Sequence, residues 1–301
     1  MSATPEKLWE PSEEAIARSQ LTRYAEWLQR ERGVEADSYE QLWEWSVERL
    51  EDFWQSIWDY FEVEADGDAR AVLAERVMPG ARWFEGAALN YAEHVFRGKA
   101  DDEVAVVHAS ELRELSELRW GELREQVAEV AEGLRALGVE RGDRVAAYLP
   151  NGVEALVAFL ASASLGAIWS SCSPDFGPSS VVDRFAQIEP KVLFAVDGYR
   201  YGGRDFDRRD TVAEIAAQMP TLRRIVLVPY LSRSPDLSPL DQDGVAEPMS
   251  WGQLRELGGG VPLRFERVPF DHPLWVLYSS GTTGLPKAIV QGHGGILLEQ
   301  L

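Results

Sequence analysis

The hydrophobic positions change their period partway along the chain. They recur three and four residues apart at Ile16, Leu21, Tyr24 and Leu28, and again at Leu42, Trp45, Leu50, Phe53, Trp54, Ile57 and Phe61. That spacing puts apolar side chains on one face of a helix. Pro11 and Ser12 precede the first stripe and Gly33 ends it, while Ser38 with Gln41 forms a capping-box pattern that opens the second. Residues 1–97 therefore read as a helical region. Trp43, Trp45, Trp54 and Trp58 could line an aromatic cage, but rings at this spacing more often pack against their own domain.

From Val104 the pattern alternates between strand and helix, which favours a parallel sheet with crossover helices. Val104–His108, Val145–Leu149, Val192–Val196 and Ile225–Val228 read as strands. Trp120–Leu137, with Gly138 just beyond it, and Thr211–Met219 read as helices. The almost wholly apolar run Val153–Trp169, with Asn151 as its cap, reads as one helix buried on most sides. Pro, Ser and Asp between Leu231 and Met249 mark surface connections, and a short helix follows Ser250. The expected fold class is α/β: a helical amino-terminal region, 1–97, then a partial large domain, 98–301, built on a mainly parallel sheet with flanking helices.

Composition narrows the partners. With 30 basic and 50 acidic residues among 301, the formal charge is −20. Such a surface repels polyphosphate at long range and offers no basic stripe, so nucleic acid is not an expected partner. Cys172 is alone, which excludes an internal disulfide and a thiolate metal cage, and no metal ligand set is assigned. The start lacks a basic, then apolar leader, and no run reaches the roughly eighteen apolar residues that span a bilayer. A soluble, cytoplasmic protein with no membrane partner is expected.

The candidate chemistry sits near the carboxyl end. Leu274–Tyr278 is an apolar strand that runs into Ser279, Ser280, Gly281, Thr282, Thr283, Gly284, Leu285, Pro286 and Lys287. Glycines let backbone N–H groups approach an anion without a Cβ in the way. The four hydroxyls add rotatable donors, and Lys287, one of only four lysines, adds a compact charge. A Walker A loop needs glycine before its lysine and Ser or Thr after it, whereas here Pro286 precedes and Ala288 follows. The remaining alternative is a purely structural turn.

YSSGTTGLPK, residues 278–287, resembles the ATP-binding signature of the adenylate-forming superfamily. WFEGAALNYAEHVF (83–96), the run 149–177, the run 184–209 and the run 274–299 resemble the acetoacetyl-CoA synthetase branch. The similarity extends from Trp83 to the end and is looser before it. Ala288 stands where the commonest loop has glycine, Glu85 where proline is usual and Gln291 where histidine is usual.

The resemblance implies ATP-dependent ligation of acetoacetate to coenzyme A through an acyl-adenylate, with AMP and pyrophosphate released. It implies ATP, Mg2+ and coenzyme A as ligands, with Ser279, Ser280, Gly281, Thr282, Thr283, Gly284 and Lys287 on the ATP phosphates and Lys287 catalytic. Arg200 and Arg204, flanking Tyr201, Gly202 and Gly203, resemble a segment that contacts the CoA phosphates. The other reading has them as surface arginines paired with Asp205 and Asp207. Trp169–Phe176 borders an acyl pocket or is simply a buried strand end. His94, His108, His272 and His293 receive no catalytic role. The adenine and ribose motifs and a mobile small domain are expected after Leu301, so the chain reads as the amino-terminal part of a longer ligase, inactive alone. A short non-catalytic nucleotide- or CoA-binding protein, and a ligase for another short-chain acid, are the alternatives.

Overall fold

The computed structural model describes residues 7–67, 69–280 and 284–301. Four helices come first: α1 (Glu13–Ala17), α2 (Gln20–Arg32), α3 (Tyr39–Glu48) and α4 (Leu50–Tyr60). Each expected stripe is thus cut in two. The Ser19 hydroxyl accepts from the Thr22 N–H at 3.1 Å and starts α2 anew, and Arg49, at φ −117° and ψ 54°, separates α3 from α4. Ser12, Ser38 and Gly33 cap where the sequence places them. Tyr24, Leu28 and Leu42 turn inward, while Ile16 and Leu21 stay exposed. The tryptophans pack within the domain: Trp58 stacks on Phe84 at 4.6 Å, and Trp45 and Trp54 meet Phe53 and Trp83 edge-on. Trp43 alone of the four is exposed.

Short strands follow, β1 (Leu73–Glu75) with β2 (Arg82–Trp83), then β3 (Ala88–Leu89) and α5 (Tyr91–Phe96). Asn90 fastens this region to the rest. Fully buried, it accepts from the Ala92 N–H at 2.9 Å and donates to the carbonyls of Ala163 (2.8 Å) and Glu266 (2.7 Å). A buried amide with all these partners stabilises the junction, because any one left unpaired would cost about 1–3 kcal/mol.

β4 (Val104–His108) forms as expected but pairs antiparallel with β5 (Ser116–Arg119), outside the main sheet. Strand propensity does not reveal which partner a strand will find. The large domain then runs α6 (Trp120–Ala136), β6 (Arg144–Tyr148), α7 (Val153–Ser164), β7 (Ile168–Cys172), α8 (Pro178–Phe185) and β8 (Val192–Val196). After β8 come a hairpin of β9 (Gly198–Tyr201) and β10 (Arg204–Asp207), then α9 (Arg209–Ala217), β11 (Arg224–Val228), β12 (Glu247–Ser250) and α10 (Trp251–Gly258). β13 (Val268–Pro269), which pairs with β3, precedes β14 (Pro273–Ser279), β15 (Lys287–Gly292) and α11 (His293–Gln300).

The expected helix Val153–Trp169 is therefore too long. It stops at Ser164, and Ile168–Cys172 is a strand. When all faces are buried an apolar run shows neither period, so helix and strand look alike. Gly166 marks the break: its φ is +70°, and a Cβ there would also lie 2.9 Å from Val268 Cγ1.

The seven-stranded sheet has the order β12-β11-β8-β6-β7-β14-β15, parallel throughout except for β15. Alternate residues face opposite layers. Val192, Phe194 and Val196 of β8 join the core under α6, α7 and α10, while Leu193 and Ala195 join the one under α8 and α9. α10 crosses α6 on glycine: a Cβ on Gly258 would sit 1.9 Å from the Glu129 carbonyl oxygen, so backbone meets backbone there. Among the described residues no helix is long and apolar enough to cross a membrane.

Candidate functional site

In a parallel α/β sheet the carboxyl ends of the strands are where loops can gather around a ligand. β14 delivers Ser279 and Ser280 to that edge, beside the end of β7. β15 returns antiparallel, with Lys287 directly across from Ser279 and Ala288 from Tyr278. The register brings the lysine back to the start of the loop it closes. Gly281, Thr282 and Thr283 lie outside the described residues. Gly284 has φ +144° and open space where a Cβ would be.

The loop is braced from one side. The Tyr278 hydroxyl donates to the Arg184 carbonyl (2.7 Å), Gln187 Nε2 donates to the Pro286 carbonyl (3.0 Å), and the Ser170 hydroxyl donates to the Val276 carbonyl (2.8 Å). Burial pushes the Tyr278 phenol up to about 12, so it remains a neutral donor. These bonds tie β14 to α8 and β7, and the end of the loop to the turn after α8. Ser279, Ser280 and Lys287 themselves are exposed. On the opposite face, Trp275 packs against Tyr91 and Phe159 and donates to Gln291 Oε1 at 2.6 Å, so Gln291 holds the ladder. Leu277 and Ile289, each 46% exposed and paired across the ladder, leave an apolar strip beside Lys287. Two open clefts of about 630 and 640 Å3 lie elsewhere, one between α5, α6 and residues 260–265, the other among α1 to α3.

Arg200 and Arg204 sit on the β9–β10 hairpin, whose two-residue turn is Gly202 (φ +57°) and Gly203 (φ +74°). This hairpin follows β8, and β6 and β7 lie between β8 and β14. Three inter-strand steps separate β8, the strand that leads into the hairpin, from β14, roughly 14 Å along the sheet, and the hairpin itself is a separate two-stranded sheet. Arg200 makes a two-point ion pair with Asp205 (2.6 and 3.0 Å). Asp207 pairs with Arg209 instead, through contacts of 2.5–3.1 Å. Arg200 thus has Asp205 as a partner, while Asp207 is taken by Arg209.

The remaining candidates take structural places. Trp169 is 6% exposed and packs between Phe159 and Phe194, as a buried strand end does. Burial pushes the Cys172 thiol up to about 11, which leaves little thiolate for nucleophilic chemistry. His94, His108 and His272 bond to the Glu64 carbonyl, Ser116 and the Gly166 carbonyl. His293 is fully buried; its Nδ1 accepts from the Tyr91 N–H at 3.2 Å. Burial, with His272 beside it, lowers its pKa to about 3. Among the described residues no group of three or more His, Cys, Asp or Glu side chains is placed to hold a metal ion.

Two features escaped the sequence reading. Buried Asp197, at the end of β8, accepts from the N–H groups of Tyr230 (2.8 Å), Leu231 (3.0 Å) and Ser232 (2.8 Å). An acid directly after the apolar run VLFAV was the available signal. Glu111 accepts from the Gly202 and Gly203 N–H groups, both at 2.8 Å, and nothing in its local sequence points across 91 residues.

Comparison with known proteins agrees with this architecture. The model of the AMP-binding enzyme family matches residues 93–300, and that of the acetyl-coenzyme A synthetase N-terminus matches residues 39–95. The chain is 38% identical over 300 residues to acetoacetyl-CoA synthetase of Danio rerio and 40% identical over 299 residues to that of Rhizobium meliloti (strain 1021). Each match covers 98% of this chain and 44% of the relative. Malonamoyl-CoA synthetase of Penicillium aethiopicum is 35% identical over 302 residues, covering 98% of this chain and 42% of its own. The solved acetoacetyl-CoA synthetase from Streptomyces lividans superposes with a TM-score of 0.90 at 50% identity, over 98% of this chain and 44% of that one. The chain spans less than half the length of these relatives, and it belongs to the AMP-binding enzyme family.

Proposed function

We propose that this chain supplies the phosphate-gripping part of an enzyme that ligates acetoacetate to coenzyme A through an acetoacetyl-adenylate. The observation that carries the reading is the β14–β15 register, which sets Lys287 opposite Ser279 at the carboxyl edge of a parallel sheet. In the reaction the acid's carboxylate attacks the α-phosphate of Mg-ATP and pyrophosphate leaves; the CoA thiol then displaces AMP. Step one asks the protein to hold the β- and γ-phosphates in line and to offset their charge, which is positioning and electrostatics. Ser279, Ser280, Gly281, Thr282, Thr283 and Gly284 donate to the phosphate oxygens, and Lys287 supplies the cation. Mg2+ enters with ATP. A formal charge of −20 works against ATP at a distance, so the grip must be local. Arg200 and Arg204 serve the CoA phosphates, Arg204 the more directly because Arg200 is already paired with Asp205.

The likeness to a malonamoyl-CoA synthetase supports a second reading, a ligase for another short carboxylic acid. Pyrophosphate release separates the two. Residues 1–301 alone are expected to release none above background. Joined to the second half of the Streptomyces lividans relative, they are expected to release it fastest with acetoacetate, against malonamate, acetate and propionate. Acetoacetate ranking last would overturn the assignment.

A further inference from the structure

The turn between β9 and β10 presents two successive N–H groups, from Gly202 and Gly203, to the same side. Glu111 fills that position with both of its oxygens, one per amide, each at 2.8 Å. Two backbone amides with a guanidinium close by, here that of Arg200, can seat an oxyanion, and two phosphate oxygens take the same arrangement as two carboxylate oxygens; Arg204 faces the other side of the ladder. The turn does not need Glu111 to close. Gly202 and Gly203 both have positive φ, and Tyr201 pairs with Arg204 across the ladder, which is how a two-residue hairpin closes unaided.

Glu111 arrives on a separate element, the exposed loop between β4 and β5. Arg113 anchors the base of that loop. It pairs with Glu154 at 2.9 Å, donates to the Pro229 carbonyl at 3.3 Å, and lies 4.8 Å from the centre of the Tyr230 ring. The tip bearing Glu111 is thereby held over the turn by contacts that do not involve the turn.

We propose that Glu111 is an internal anion occupying the phosphate seat of the β9–β10 turn, and that it must leave before a phosphate of CoA can bind there. This rests on the assignment of Arg200 and Arg204 to the CoA phosphates. The loop is then a gate that sets CoA affinity. A ligand competing with a tethered group binds more weakly by the fraction of time the seat is open. If Glu111 is seated about 70–90% of the time, removing it tightens binding by about three- to tenfold.

The test uses the 301-residue chain, E111Q and E111A, with CoA and dephospho-CoA as titrants. The Gly202 and Gly203 amide resonances report on the turn, and calorimetry gives the affinities. The expected result is that CoA moves both resonances in all three proteins and binds E111A about three- to tenfold more tightly than wild type, with E111Q between. An equal gain for dephospho-CoA would mean that the seat takes the diphosphate instead of the 3′-phosphate, and the gate would stand. If CoA moves both resonances but E111A binds no more tightly, Glu111 is only a brace; the gate fails while the CoA reading survives. If CoA moves neither resonance in any variant, the arginine assignment itself fails, and the gate with it.

Discussion

Every residue of β8 is buried, whereas Lys287, Ala288, Ile289 and Val290 of β15 are all exposed, although both strands belong to one sheet. β8 has a parallel neighbour on each side and a helix layer on each face. β15 has one neighbour, runs antiparallel to it, and ends the sheet. The contrast separates two tasks. The interior strands hold the fold, and the hairpin carries hydroxyls and a lysine to solvent, where a polyphosphate can reach them. If that division is right, changes inside should lower stability, and changes at the hairpin should lower binding and leave stability alone.

The largest effect on stability is expected at Phe194, fully buried between Trp169 and Trp251 at ring distances of 6.4 and 5.8 Å. Phe194→Ala should cost about 3–5 kcal/mol in chemical denaturation, a large share of the total for a domain. A loss below about 1 kcal/mol would mean the core there is loosely packed.

A smaller effect is expected at His293, where the contrast becomes a pH dependence. Its folded pKa is depressed to about 3, against about 6.5 when unfolded, so between those values the unfolded chain holds the extra proton. The contribution is fully present above pH 6.5 and is lost as pH falls below it, by about 2 kcal/mol at pH 5. Denaturation of wild type and His293→Gln at pH 7 and pH 5 should show the steeper loss in wild type. Equal slopes would mean that His293 takes up a proton in the folded state.

How much of this could be read from the sequence depended on whether the signal was local. The caps at Ser12, Ser38 and Gly33, the strand VLFAV and the loop after Tyr278 declare themselves within a few residues. The division of Val153–Trp169 did not, because burial on all sides erases the polar face that would set a period; only Gly166 hinted at it. The destination of Val104–His108, the strand after Lys287 and the reach of Glu111 to Gly202 depend on partners far away in the chain. The lysine and hydroxyls of the site were legible as chemistry, but only the pairing of Ser279 with Lys287 gave them a geometry.

The smallest effect on stability, and the most direct test of the hairpin's role, comes from Lys287→Ala. Mg-ATP and inorganic pyrophosphate should be titrated against wild type and the variant, with denaturation midpoints taken on the same samples. The expected result is a stability change within about 0.5 kcal/mol and phosphate binding weakened by roughly tenfold or more. Unchanged affinity for both ligands at an unchanged midpoint would contradict the assignment of this hairpin as the grip on the leaving pyrophosphate.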